Sequence, residues 1–215
     1  MLVKERMSKP VITINPDMTI TDALHLMRRE NIRRTPVIQD GKLVGIVSDK
    51  DLLNASPSSA TSLSIWELNY LINRIKVTDI MTKDVLTVDI NDTIEKAART
   101  MSDSKIGGLP VTKEGKVVGI ITETDLFKIF LEITGAREPG VRLTALVPEK
   151  IGKLAELTKA IAMAGGNFIA FGQFSGEDPS NRGIMFKVIG IDEDKIVEIV
   201  TPHVAKIIDI RTISV

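Results

Sequence analysis

Gly45-Ile46-Val47-Ser48-Asp49-Lys50-Asp51 returns 74 residues later as Gly119-Ile120-Ile121-Thr122-Glu123-Thr124-Asp125. Each copy runs from a β-branched stretch into a hydroxyl residue, with an acid three positions further on. That order predicts a strand ending in a helix N-cap, with Ser48 and Thr122 as caps. The same offset lays Val3 to Lys9 on Val77 to Lys83, Thr19-Ile20 on Thr93-Ile94, Met27 on Met101, Pro36-Val37 on Pro110-Val111, and Gly41-Lys42 on Gly115-Lys116. About 19 of about 51 aligned positions are identical without a gap, beyond chance for a fixed period. Two copies make a paired module rather than a solenoid.

Within the first copy, Val11 to Ile14 reads as a short strand. Asp17-Met18-Thr19 offers helix caps, and Ile20, Ala23, Leu24 and Met27 carry amphipathic helical spacing. Thr35 to Ile38 is a second strand, with Pro36 at its start where no central ladder bond is lost. Asp40-Gly41 marks a tight turn before a third strand, Leu43 to Val47. The second copy predicts strands at 85–88, 110–112 and 117–121, a helix over 93–102, and another after Thr122. Between the copies, 55–62 is a polar, turn-rich loop. Ile65, Leu68, Leu71, Ile72 and Ile75 then form a helical stripe bearing Trp66 and Tyr70. That pair could stack on a ligand, but packing against the repeat core is the preferred reading.

The repeat ends near Leu131, and Gly135 to Gly140 is a linker by composition. Beyond it the pattern predicts strand 141–147, helix 153–164, strand 168–174, strand 183–189, helix 192–204 and strand 205–215. That βαββαβ order is the ferredoxin-like pattern.

Composition excludes several functions. The 28 Lys+Arg are balanced by 28 Asp+Glu, so the excess cation of sequence-independent nucleic-acid binding is missing. Aromatics at 4% leave few platforms for stacking single-stranded bases. Without Cys there is no disulfide, thiolate nucleophile or Cys-ligated metal. Charges within Met1 to Arg6 stand where a signal peptide needs an apolar core. No apolar run approaches the roughly 20 residues of a membrane span. The expectation is a soluble cytoplasmic protein without membrane or nucleic-acid partners. His25 reads as a surface residue and His203 as a helix-end residue. No nucleophile–base pair, P-loop lysine or metal-ligand cluster is visible, so neither catalytic residues nor metal ligands are expected.

The repeated segments ending in Asp51 and Asp125 resemble the signature of CBS (cystathionine-β-synthase) motifs. Together the copies resemble a Bateman module, with motif 1 over 1–65 and motif 2 over 66–134. The tail, 139–215, resembles an ACT domain through Leu146-Val147-Pro148-Glu149-Lys150-Ile151-Gly152-Lys153-Leu154 and Gly166-Asn167-Phe168-Ile169. That family usually carries Asp where Glu149 stands and Pro where Ile151 stands. The whole order is similar to acetoin-utilisation B-type and related CBS–ACT proteins. The expected fold class is α/β (α+β): a CBS-domain pair followed by a ferredoxin-like βαββαβ ACT domain.

At Ser48/Asp51 and Thr122/Asp125, the hydroxyl and free backbone N–H groups can hold an anion. The carboxylate can accept hydrogen bonds from both hydroxyls of a ribose. The plain alternative is an N-cap with an acid favoured by the helix dipole, worth about 1 kcal/mol. Duplication favours nucleoside binding. The resemblance implies an adenine ring packed between the first strand and the Pro strand. Those are Ile12 and Thr13 with Thr35, Pro36 and Val37, or Leu86 and Thr87 with Leu109, Pro110 and Val111, in two clefts, with Gly108 as a further expected nucleotide contact. Arg33-Arg34 aligns with Gly107-Gly108. Guanidiniums neutralise phosphates bidentately, whereas glycines only permit close backbone approach. Two inequivalent clefts follow, the Arg-bearing one preferring di- or triphosphates.

In the tail, backbone N–H groups at Gly152 could hold an amino-acid carboxylate, with Glu149 and Asn167 as further effector contacts. The resemblance places such sites between two ACT domains. The alternative is a domain that only dimerises. The expected protein is a non-catalytic, homodimeric sensor. Its regulatory ligand is an adenine nucleotide (AMP, ADP, ATP or a related adenosyl compound), with an amino acid as candidate second ligand and no required cofactor. A nucleotide-dependent enzyme subunit and a purely structural dimerisation module are the competing readings.

Overall fold

The computed structural model describes residues 1–55 and 74–214. Of the predicted stripe, Ile65 to Ile72 with Trp66 and Tyr70 lie outside the described residues, as do residues 56–62 of the loop before it; Ile75 is described and packs against the core of the first copy. The chain divides into two compact units, Met1–Leu126 and Phe127–Val215.

In the first unit the first copy comprises α1 (Val3–Arg6), α2 (Ile20–Arg29), β1 (Arg34–Gln39), β2 (Lys42–Ser48) and α3 (Asp49–Asn54). The second comprises α4 (Val77–Ile80), β3 (Val88–Asp89), α5 (Ile94–Ser104), β4 (Gly108–Lys113) and β5 (Lys116–Thr122), followed by α6 (Glu123–Ile133). The copies match in local chemistry. Thr19 caps α2 by accepting from the Asp22 N–H, and Thr93 caps α5 by accepting from the Lys96 N–H. Both hairpins turn through two left-handed residues, Asp40-Gly41 and Glu114-Gly115, as a type I′ connection requires.

The first strand of each copy is shorter than its β-branched run predicts. Ile14 alone bridges Val37, in parallel, and only Val88–Asp89 pair with Val111–Thr112. The Ile14 N–H donates to the Pro36 carbonyl and the Ile38 N–H returns to Ile14. The next rung needs an N–H from Pro36, which has none. The Thr35 hydroxyl, 2.6 Å from the Ile12 carbonyl oxygen, donates instead. Pro110 stops the second copy in the same way. Proline therefore does cost this ladder a bond.

The copies exchange their N-terminal segments. Ser8 bridges Ile120 in β5, and Thr82 bridges Ile46 in β2. Val77, from α4, is fully buried among Ile14, Ile20, Met27, Val37 and Leu52 of the other copy. Burial of these apolar side chains, at roughly 25 cal/mol per Å², joins the copies into one unit.

The second unit contains β6 (Gly140–Pro148), α7 (Lys153–Met163), β7 (Asn167–Ser175), β8 (Asn181–Ile189), α8 (Glu193–Val200) and β9 (Lys206–Ile213). Its antiparallel sheet runs β7-β8-β6-β9, the strand order of a βαββαβ split unit. Leu143, Ala145, Ile184, Phe186 and Val188 pack against Leu157, Ile161, Ile196 and Val200. Helix α8 ends at Val200, short of the predicted residue 204. Pro202 instead sits in a 3₁₀ turn, Thr201–His203, because its ring and missing N–H oppose a continued α-helix.

Candidate functional site

A cleft of about 550 Å³ opens in the first unit. Arg33, Arg34, Ser48 and Asp51 line it from the first copy, and Thr82, Asp84, Leu86, Lys105, Gly107 and Gly108 from the second. The strand exchange brings 82–86 opposite the start of α3.

Ser48 and Asp51 form a reciprocal capping box. The Ser48 hydroxyl donates to Asp51 Oδ2 at 2.6 Å and its N–H does so at 2.8 Å, while the Asp51 N–H donates back to Ser48 Oγ at 3.2 Å. Thr122 and Asp125 repeat it at 2.7, 2.9 and 3.4 Å. Oδ2 of each acid thus serves the cap. Among the described residues no donor meets Oδ1 of Asp51, which is exposed. Asp125 is 8% exposed.

Arg34 stands opposite Ser48 in the β1–β2 ladder, and Gly108 opposite Thr122 in β4–β5. The Arg34 side chain crosses to the second copy. A Cβ on Gly107 would come within 2.3 Å of Arg34 Nη2, and one on Gly108 within 2.8 Å of Arg34 Cδ. The glycines make room for the arginine. The expected assignment of Arg33-Arg34 and Gly107-Gly108 to separate clefts is therefore corrected: both pairs line one cleft. Positions equivalent by sequence meet where the copies face each other.

Ser48, Asp51, Arg33, Arg34, Leu86 and Gly108 are brought together here. Thr122 and Asp125 lie in the second capping box. Ile12 is half-buried, and Thr13 and Thr87 are exposed. Thr35, Pro36, Leu109 and Pro110 are buried in the strands themselves. Sequence reasoning missed Thr82, Asp84 and Lys105. Only the exchange of N-terminal segments puts them in the cleft, and no local pattern records it.

In the second unit Gly152, with φ +90°, precedes α7, whereas Asn167 starts β7 beyond the far end of that helix. An 11-residue helix spans roughly 16 Å at 1.5 Å per residue. One chain thus keeps Gly152 and Asn167 apart. The Glu149 carboxylate accepts from Arg182 Nε at 2.7 Å. Both residues line a cavity of about 360 Å³ with Asp178 and Asn181.

Among the described residues no group of three or more His, Asp or Glu is placed to hold a metal ion. Among them, too, no helix is long and apolar enough to cross a membrane.

The CBS-domain family model matches residues 3–58 and 77–132, together just over half of the chain. The chain belongs to the CBS-domain family, as a tandem pair. A CBS domain-containing protein of Dictyostelium discoideum is 34% identical over 134 residues, covering 61% of this chain and 92% of that protein. Two further curated relatives are longer, and the matched stretch spans 47% and 23% of them. The CBS domain pair of protein MJ0100, solved with 5′-methylthioadenosine and S-adenosyl-L-methionine, has a TM-score of 0.52 at 30% identity, over 64% of this chain and 98% of that one. A Vibrio cholerae structure assigned to acetoin utilization (AcuB) has a TM-score of 0.53 at 32% identity, over 64% of this chain and 96% of that one.

Proposed function

We propose that this chain is a non-catalytic regulatory protein whose CBS pair senses an adenosyl ligand, such as AMP, ADP, ATP or S-adenosylmethionine. The observation that carries this reading is the duplicated hydroxyl–Asp box, one copy of which lines a nucleotide-sized cleft beside a guanidinium. The 5′-methylthioadenosine and S-adenosyl-L-methionine held by the MJ0100 pair support it. In this reading Asp51 Oδ1 accepts from the ribose hydroxyls, Leu86 covers the base, and Arg33 and Arg34 meet phosphate. Motif 1 occupies 1–65 and motif 2 occupies 66–134. Residues 139–215 form an ACT domain. Because Gly152 and Asn167 are kept apart in one chain, its amino-acid site takes Glu149 and Gly152 from one copy and Asn167 from a second, within a homodimer.

The test is isothermal titration of the full chain with AMP, ADP, ATP, S-adenosylmethionine and 5′-methylthioadenosine. At least one binds, and the Asp51→Ala, Asp125→Ala double variant binds it about tenfold or more weakly, the effect of losing a charge-assisted hydrogen bond. Parent-like affinity in the folded double variant would reject the ribose assignment.

A further inference from the structure

A cavity of about 420 Å³ lies in the second unit, beside the turn that follows α6. Lys128, Leu131 and Glu132 line it from the helix, and Gly135, Arg137 and Glu138 from the turn. That volume suits a small ligand.

The turn is held in place before any ligand arrives. Gly135 takes the left-handed conformation, φ +55°, that commonly ends a helix. The Gly135 N–H donates to the Glu132 carbonyl, the Ala136 N–H to that of Leu131, and the Glu138 N–H to that of Gly135. The Lys187 ammonium donates to the Gly135 and Glu138 carbonyl oxygens. A Cβ on Gly135 would stand 2.7 Å from Ile169 Cγ2, so the turn also rests on β7. A turn ordered in this way adds little ordering cost to binding.

Its side chains remain available. Arg137 and Glu138 are exposed, and among the described residues neither side chain has a hydrogen-bond or ion-pair partner. Consecutive residues of one fixed turn thus offer a guanidinium and a carboxylate to the same cavity. Lys128 and Glu132, on the facing wall, are already engaged within the protein. The last carbonyls of α6 add about half a negative charge, which favours a cation at the helix end. Leu131 supplies apolar surface.

We propose that this cavity binds a free α-amino acid with an aliphatic side chain. The ligand carboxylate meets the Arg137 fork. Its ammonium lies at the end of α6 with the Glu138 carboxylate, and its side chain covers Leu131. The two opposite charges on one ligand carbon match the two opposite charges on the turn. A ligand with only a carboxylate would leave Glu138 and the helix end without a cation, and one with only an ammonium would leave Arg137 without an anion. The site is separate from the one at Glu149, Gly152 and Asn167. It is complete in one chain and does not rest on the ACT resemblance.

The experiment is isothermal titration of the full chain with L-valine and L-leucine, and with N-acetyl-L-leucine and L-leucinamide, which each lack one charge. At least one of the two amino acids binds, and both derivatives bind about tenfold or more weakly than L-leucine. Arg137→Gln and Glu138→Gln each lower the affinity about fivefold to tenfold, between the effect of an exposed ion pair and that of a charge-assisted hydrogen bond. Affinity falls as salt is added, because both charges are partly open to solvent. Thermal melts confirm that each variant is folded. Parent-like affinity in both variants, or N-acetyl-L-leucine binding as tightly as L-leucine, overturns the turn site. If Asn167→Ala loses the amino acid while both turn variants keep it, the ligand sits at Gly152 and Asn167. The turn site is then overturned and the earlier amino-acid reading stands. No binding of either amino acid overturns the turn site and leaves the adenosyl reading standing.

Discussion

Lys187 donates its ammonium to the Gly135 carbonyl oxygen at 2.7 Å, and to that of Glu138 at 2.8 Å, while only 3% exposed. Its neighbours Phe186 and Val188 point into the core of the second unit, so strand alternation turns Lys187 to the opposite face of the sheet. The turn after α6 closes over that face. The predicted linker is thus a fastened segment of the second unit, held by a lysine whose apolar stem is buried.

Replacing Lys187 with Met keeps the stem and removes both donated bonds. Two carbonyl oxygens then lose a charged donor, at an expected cost of about 1–3 kcal/mol. Urea denaturation, with hydrogen exchange at β8 to assign the transition, reads the loss. An unchanged midpoint would show that water replaces the ammonium freely.

Each copy presses a methionine onto a glycine of the other. A Cβ on Gly45 would stand 2.4 Å from Met81 Sδ, and one on Gly119 would stand 2.5 Å from Met7 Sδ. Gly45→Ala is expected to destabilise the first unit by about 1–3 kcal/mol through overpacking. Adding Met81→Ala should recover part of that loss, and a double-mutant cycle measures the coupling. Strictly additive effects would show that the contact does not join the copies.

Asp209 titrates below the ordinary aspartate range. The Arg211 hydrogen bond is the largest cause, and the charges of Arg211 and Arg142 add to it. A carboxyl lowered in the folded state stabilises the fold above its unfolded value of about 3.9, and that contribution fades as pH falls through the lower folded value. Melting temperature should therefore drop on acidification below about pH 4. The Arg142→Met, Arg211→Met double variant should show a shallower drop, and an identical pH profile would count against this ion cluster as its source.

Thr35 is fully buried, and its hydroxyl serves the Ile12 carbonyl oxygen in place of the N–H that Pro36 lacks. Thr35→Val nearly conserves volume but leaves that carbonyl without this donor. The expected cost is about 1 kcal/mol. Thermal melting checks it. A melting temperature equal to the parent's would mean that the proline gap needs no side-chain donor.

The repeat, its capping boxes, its hairpins and the βαββαβ order were legible in the residues themselves. Each rests on interactions between near neighbours. Ser48 finds Asp51 three positions away, Asp40-Gly41 turns on its own backbone preferences, and α2 shows its apolar face at three-and-four spacing. Strand ends were less legible, because Pro36 cuts short a ladder whose other member lies more than twenty positions earlier. The meeting of Arg34 with Gly107 and Gly108, the entry of Thr82 and Leu86 into the cleft, the separation of Gly152 from Asn167, and the burial of Lys187 came only with the assembled chain. These pairs are far apart in sequence. Which of them touch depends on how whole elements bury their apolar faces together, a collective balance that no local pattern encodes.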